Sequence, residues 1–441
     1  MPSRLQRALI LLAMVLCAVL IADAAYRARG YRAGTSDFDD FHRTVTADLL
    51  ARRTVTPDHG VHNYLPFFVV FMAPFGLLPM WLGCAVFVAL SLALFALAVA
   101  IIDRRLVPMP TGPWWLRVAV PAAMVTPFVV SAAVLGQVSL LVTFLIVLSW
   151  YLVETRREFW AGWALSLGVL VKVFPVVLVL YFLLKRQWKM LAGVAAGLIL
   201  LGGLLTTAVF GRSENLRLHR EYWRQAVVGH GPLAEMVKIQ QVKSTSHNQS
   251  LPMVLRRLLT ETPAVHHEDG YHSVNLARLP ATDISVIGMT LKPIQLVYLG
   301  VVMLLMVGPC WTARHAARRT PLDRARLEFA AFTLLCLVLS PLLWVHYVVF
   351  GYYALALMTA ELMCRIEAGR RAVAGRAVWF AWLFSLPLLG SDYCRAVGVH
   401  LWCIVAVMLV LVVWASRVPA RDEALLAGVH EASENQKGTA T

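Results

Sequence analysis

Apolar runs close to 20 residues long recur from one end of the chain to the other, and a helix of that length spans the hydrocarbon of a bilayer. Backbone N–H and C=O groups find no water there, so such runs are confined to helices, and the chain reads as an all-α polytopic membrane protein. The composition agrees, since 59% of the 441 residues are hydrophobic and only 15% are charged. Lys and Arg number 40 against 25 Asp and Glu, a net charge of +15. On a soluble chain that excess would point to nucleic acid; in a membrane chain it sets topology, and no nucleic-acid partner is expected. The seven cysteines, at 17, 84, 310, 336, 364, 394 and 403, form no C-x-x-C pair and have no histidine at zinc spacing. Neither a disulfide framework nor a structural zinc is expected.

Tracing from a cytoplasmic N-terminus places crossings near 8–26, 80–103, 118–134 and 138–153. Arg4 and Arg7 ahead of the first run, with Ala22-Asp23-Ala24 after it, also fit a signal peptide cleaved near residue 24; either way the chain from 27 onward emerges on the far side. The basic loop "DRRLVPMPTGPWWLR" then falls inside and the tight, uncharged "LGQVS" outside. A conflict follows, because "ETRRE" at 154–158 and "KRQWK" at 185–189 are equally basic and only one apolar stretch separates them. One crossing cannot end on both sides. The conflict disappears if 159–184 is a re-entrant hairpin of two half-helices turning near Lys172 and Pro175, since proline breaks the helical ladder and irregular backbone is tolerated when buried in protein. Each arm is then about 18 Å long.

After the hairpin, 190–210 crosses outward, 211–290 forms an outer loop, and crossings follow near 292–312, 326–343, 345–364, 376–390 and 399–416, about ten in all. "RHAARRTPLDRAR" and "CRIEAGRRAVAGRA" both land inside, as the positive-inside rule requires. The proline-bracketed segment 66–79 is too short to span and is expected to dip in from the outer side. Residues 1–416 thus read as one integral membrane unit with outer loops 27–79 and 211–290, and 417–441 as a disordered cytoplasmic tail.

Five polar groups fall at the outer face: "SDFDDFHRT" (36–44), "HNYLP" (62–66), "LGQVS" (135–139), "TSHNQS" (245–250) and "SPLLWVHY" (340–347), with Lys172 joining them from the hairpin tip. The inner loops carry mainly arginine, which topology already explains, so an active site is expected outside. Asp37, Asp39 and Asp40 alternate with Phe38 and Phe41, a pattern for a segment folded onto the bundle with one acidic face. Three uses stay open: solvated charges, a general base favoured by burial, or chelation of a divalent cation by D-x-D. His346 is either an interhelical hydrogen-bonder or a functional group. Lys172 in "GVLVKVFPVVL" is the sharpest case, because an ammonium there costs about 2.5–3.5 kcal/mol on insertion scales. It needs an anion, either a lipid phosphate or an aspartate. Gln137 behind Gly136 caps a turn or contacts sugar, and Asn248, Gln249 and Ser250 offer the donors and acceptors that suit sugar hydroxyls while also matching an N-x-S acceptor pattern.

In this order the pieces resemble glycosyltransferase family 87, membrane enzymes of the GT-C class. The points of resemblance are Asp37-Phe38 after the first helix, Tyr64-Leu65-Pro66 followed by Pro74 and Pro79, and Gly136-Gln137 opening a helix. Then come Gly162, Lys172 and Pro175 in "AGWALSLGVLVKVFP", Asn248-Gln249-Ser250, and Ser340, Pro341, Trp344 and His346 in "LSPLLWVHY". The resemblance implies inverting, metal-independent transfer of a sugar, mannose by preference, from a polyprenyl monophosphate donor to a glycolipid or glycan acceptor, with no cofactor beyond the lipid-linked sugar. It also implies Asp37 as general base with Asp40 second, Lys172 and His346 at the leaving phosphate, and Tyr64, Gln137, Asn248, Gln249, Ser250 and Trp344 around the substrates. The donor's isoprenoid tail would lie between helices, open to membrane lipid. Departures are Leu65 where family members commonly carry proline, Val138-Ser139 where asparagine often follows Gly-Gln, and final crossings without a matching motif. Two other classes fit a polytopic basic chain: a lipid or solute transporter or flippase, which predicts polar groups along the whole bundle and an internal repeat, and another outer-face lipid-processing transferase with His346 as base.

Overall fold

The computed structural model describes residues 4–29, 36–51, 64–107, 113–224, 244–261, 264–265, 281–369 and 372–419. The rest, including His62, Asn63 and nearly all of the expected tail, lies outside the described residues. Among the described residues eight helices are long and apolar enough to cross a membrane: Arg4–Arg29, Met80–Leu106, Trp115–Val134, Trp188–Phe210, Pro293–Thr312, Val345–Glu367, Val373–Gly390 and Val399–Ser416. Two more that the hydropathy marks as crossings, Ser139–Glu154 and Leu322–Val338, are shorter at 16 and 17 residues. Extended pairing among the described residues amounts to three two-residue strands, Ser244–Thr245, Ala264–Val265 and Ala281–Thr282, the first pair parallel and the second antiparallel.

Leu322–Val338 and Tyr352–Glu367 are buried along most of their lengths and form the centre of the bundle. Arg4–Arg29 sits outside, fully burying only Leu20, Ala24 and Ala28 and leaving Leu11, Leu12, Met14 and Val19 exposed, as a lipid-facing helix does. The segment 66–79 contains the short helix Pro66–Gly76, entered through a proline at its first turn, where the missing N–H costs nothing.

The 158–184 stretch breaks at Lys172. Glu158–Val171 ends there with φ −151° and ψ 118°, an extended residue, before the turn Phe174–Val176 and the second helix Val177–Leu184. Both feet of this hairpin stand on one helix. Glu154 pairs with Arg326 at 2.7 Å and Lys185 with Glu328 at 2.5 Å, and residues two apart on a helix differ by only about 3 Å along its axis. "ETRRE" and "KRQWK" therefore lie at the same end of the bundle. Other loops meet them there. Arg326 donates to the Arg105 carbonyl at 3.3 Å, the Ala317 N–H to the Lys185 carbonyl at 3.1 Å, and Arg324 to the carbonyls of Thr312 and Val418 at 3.0 and 2.9 Å. From this end the 14 residues of Glu158–Val171 rise about 21 Å, which carries Lys172 far toward the other end.

Small residues fix the hairpin's place. A Cβ on Gly162 would stand 2.6 Å from the Val194 nitrogen and 3.0 Å from the Gly193 carbonyl carbon. Only glycine lets these two helices come into backbone contact, the close packing that small residues permit between membrane helices.

Candidate active site at the hairpin tip

Asp37–Arg43 is a two-turn helix whose start is set twice over. The Ser36 hydroxyl accepts from the Asp39 N–H at 3.3 Å, satisfying one of the free donors of the first turn. The N–H groups of Asp37 and Phe38 donate to the Leu135 carbonyl at 3.1 and 3.3 Å, which docks the helix on the corner that ends Val120–Val134. Gly136 makes that corner possible. Its φ is +63°, and a Cβ there would lie 2.6 Å from the Phe38 Cβ, so any other residue is both strained and in collision. The next residue, Gln137, turns its Nε2 to donate to Asp37 Oδ2.

Aromatic packing holds the rest. Phe38 is fully buried against Phe87, ring centroids 5.6 Å apart, and Phe41 packs edge-on against Tyr64 and Phe68 at 5.1 and 4.8 Å. His42 Nε2 donates to the Leu78 carbonyl at 2.9 Å, tying the helix to the end of the 66–79 segment. The three aspartates do not share one acidic face. Asp37 meets Gln137, whereas Asp39 is buried within electrostatic reach of Cys84, because residues two apart on a helix point about 200° apart. Asp40, half-buried, lies one turn beyond Asp37 on the same side. Among the described residues no three His, Cys, Asp or Glu side chains are grouped to hold a metal ion.

Lys172 completes the cluster. Its Nζ donates to the Tyr64 hydroxyl at 3.3 Å and lies 5.1 Å from the Tyr64 ring centroid and 4.1 Å from that of Tyr347. Asp37, Gln137, Tyr64 and Lys172 thus gather in one polar cluster. Asp37 and His346 are both within electrostatic reach of Lys172, yet among the described residues no carboxylate comes within ion-pair distance of it. His346 is buried, and its Nε2 has no hydrogen-bond partner among the described residues.

The 245–250 segment arrives differently from its sequence-level reading. Asn248 Oδ1 accepts the N–H groups of Ser250 and Leu343 at 3.1 and 3.0 Å, and the Gln249 N–H donates to the Leu343 carbonyl at 2.9 Å. Gln249 Oε1 accepts the His400 N–H at 3.2 Å. Both amide oxygens are thus engaged by backbone, clasping the turn that leads through half-buried Trp344 to His346 and Tyr347. The buried Ser250 hydroxyl makes no hydrogen bond among the described residues. Asn248→Ala strands two buried N–H donors, and each such donor costs about 1–3 kcal/mol. A clear fall in the thermal unfolding temperature of detergent-purified protein is expected; an unchanged temperature would assign the amide to a ligand instead.

Sequence reasoning did not single out Tyr347, Arg257 or His42. Arg257 is fully buried and donates to the carbonyls of Asn248 and Ala396, both at 2.9 Å, anchoring the clasp from below. Nothing in the local sequence marks it, because the two carbonyls it binds are main-chain atoms, that of Ala396 lying 139 residues away.

Two curated proteins resemble the chain. A polyprenol-phosphate-mannose-dependent alpha-(1-2)-phosphatidylinositol mannoside mannosyltransferase of Mycolicibacterium smegmatis is 25% identical over 343 residues, 74% of this chain and 66% of the relative. A protein of the same name from Mycobacterium tuberculosis is 28% identical over 244 residues, 50% of this chain and 55% of the relative. The aligned part of the chain therefore spans just under two thirds of the first relative and a little over half of the second. No solved structure matches. The family profile of glycosyltransferase family 87 matches residues 62–341, a stretch holding Tyr64, Gln137, Lys172 and the Asn248 clasp, and on that match the chain belongs to glycosyltransferase family 87.

Proposed function

We propose that the protein transfers mannose, with inversion, from a polyprenol phosphate mannose donor to a hydroxyl of a glycolipid acceptor, with Asp37 as general base. The observation that carries this reading is the shared cluster of Asp37 and Lys172, in which the half-buried ammonium faces two aromatic rings and a hydroxyl, with Asp37 within electrostatic reach but no carboxylate among the described residues at ion-pair distance. A cation drawn partly out of water without a directly paired carboxylate favours an anionic ligand. The phosphate of a lipid-linked sugar supplies that anion, and the mannosyltransferase relatives carry the same class of donor in their names.

In this scheme the acceptor oxygen attacks the anomeric carbon and its proton passes to Asp37. The bond from that carbon to the phosphate oxygen breaks, and the electron pair leaves with the polyprenyl phosphate. Phosphate is a competent leaving group, so the protein contributes orientation, a base and charge stabilisation more than acid catalysis. Gln137 orients the Asp37 carboxylate, and charge growing on the phosphate meets Lys172 and His346. Asp40, one turn on, is the second candidate for the base. The clasped 340–347 turn holds His346 within electrostatic reach of Lys172, and the amide hydrogens of Asn248 and Gln249 with the Ser250 hydroxyl remain for sugar hydroxyls. Under the positive-inside rule the arginine-rich loops at the opposite end would face the cytoplasm, which supports an extracytoplasmic side for this chemistry.

Purified protein in liposomes with polyprenol phosphate mannose and a mixture of mannosylated phospholipids is expected to yield a more mannosylated lipid, detected by mass spectrometry. Absence of transfer from this donor overturns the reading. Lys172→Met is expected to raise the donor KM about tenfold or more while leaving the acceptor KM unchanged, the loss of one charge-assisted contact to phosphate. An unchanged donor KM would remove the phosphate role from Lys172.

A further inference from the structure

We infer that Tyr347 is a positioning residue for the reaction, one half of an aromatic cage that holds the Lys172 ammonium at the hairpin tip in readiness for the donor phosphate. The inference rests on the phosphate role given to Lys172 above and adds how the ammonium is kept in place when no carboxylate among the described residues is in ion-pair contact with it.

Tyr64 and Tyr347 come from distant parts of the chain and meet at Lys172. The ammonium lies 4.1 Å from the Tyr347 ring centroid and 5.1 Å from that of Tyr64, with the Tyr64 hydroxyl 3.3 Å away. Both ring distances fall inside the range in which the negative face of an aromatic ring attracts a cation. Each ring is itself fixed. Tyr64 stacks on Phe68 at 4.2 Å and takes the edge of Phe41 at 5.1 Å; Tyr347 stacks on Phe174 at 5.9 Å, which in turn packs on Phe350 at 4.7 Å. Phe174 lies two residues past Lys172, so the hairpin tip supplies both the cation and a support for its cage.

The chemical logic is one of competition. A carboxylate in ion-pair contact would neutralise Lys172 and would have to be displaced by the incoming phosphate. Ring faces attract the cation without hydrogen-bonding to it, so the N–H donors not given to the Tyr64 hydroxyl remain for an arriving anion. The surplus positive charge is thereby stabilised in the absence of donor and not satisfied by the protein alone.

Fluorination tests this without changing side-chain shape, because each fluorine withdraws negative charge from the ring face. With phenylalanine, then mono-, di- and trifluorophenylalanine installed at position 347, donor KM measured with polyprenol phosphate mannose is expected to stay within about twofold of wild type for Tyr347→Phe. It should then climb stepwise to roughly tenfold across the fluorinated series, with acceptor KM unchanged. In a Lys172→Met background the same series is expected to be flat, since the interaction partner is gone. A flat series on the wild-type background overturns the cage while leaving the mannosyl transfer itself standing. A climb of equal size with and without Lys172 overturns it too, since the ring would then act on the donor directly. If the unmodified protein transfers no mannose from this donor, the reading beneath the inference fails first and visibly.

Discussion

Asp37→Asn is expected to reduce kcat about 10²- to 10⁴-fold, the range associated with loss of a positioned general base, while donor KM moves only a few-fold. The substitution keeps the size and planarity of the side chain, and the amide can still present an oxygen to Gln137 Nε2, the contact the carboxylate makes now. What disappears is the capacity to take a proton. The structural cost is small, because Asp37 stands at the first turn of its helix and losing a negative charge there is worth about 0.3–1 kcal/mol. Thermal unfolding of the variant should therefore remain close to wild type, which separates a chemical defect from a folding one. Asp40→Asn is expected to cost much less, since Asp40 lies one turn further from the Gln137 contact. Near-normal turnover in Asp37→Asn, measured as mannolipid formed per enzyme, would move the base to another residue.

The largest effect on stability is expected at the other end of the bundle. Glu328 is fully buried, pairs with Lys185 at 2.5 Å and accepts from Arg324 at 3.0 Å; both cations are themselves almost wholly buried. Glu328→Ala leaves two buried positive charges facing one another around the missing carboxylate, and removing one partner from such a group costs about 3–5 kcal/mol. Purified Glu328→Ala is expected to unfold at a markedly lower temperature than wild type. Taking away charge of both signs should be milder. Lys185→Met with Glu328→Leu leaves Arg324 its two carbonyl partners on Thr312 and Val418, and recovery of most of the lost stability is expected. If the single and double variants unfold alike, the triad is not an electrostatic unit.

These two regions also differ in how far they could be read from residues alone. The hairpin followed from charge bookkeeping: two basic loops with one apolar stretch between them, a lysine and a proline at its middle. The structure gives both loops the same helix to stand on through Glu154 and Lys185. That Asp37, Gln137, Tyr64 and Lys172 meet was legible only as an expectation from their order, because polar residues at the same end of a bundle have few places to go. Which groups they choose was not legible. Asn248 and Gln249 offer the same donors and acceptors to a sugar as to a main chain, and nothing in "HNQS" reveals that both oxygens turn to the 343 and 400 backbones. Asp39 shows the limit at closer range. An acid-aromatic alternation fits a single acidic face, but in a two-turn helix the middle carboxylate points away from its neighbours. Tyr347 carries no signal of its own beside His346, since a ring's use as a seat for a cation depends on a lysine 175 positions earlier.

The hairpin also settles a matter of parity. Leaving and returning at one end makes 158–184 an even contribution, so every later loop keeps the compartment it would have were the segment excised. Counted as one span, it would put the Asn248 clasp and the Trp344 turn on the side opposite the Asp37 helix, although Tyr347 and Lys172 are 4.1 Å apart. Single cysteines replacing exposed Thr155 and Lys189 should accordingly react with an impermeant thiol reagent from one compartment, and one replacing exposed Ser213 from the other.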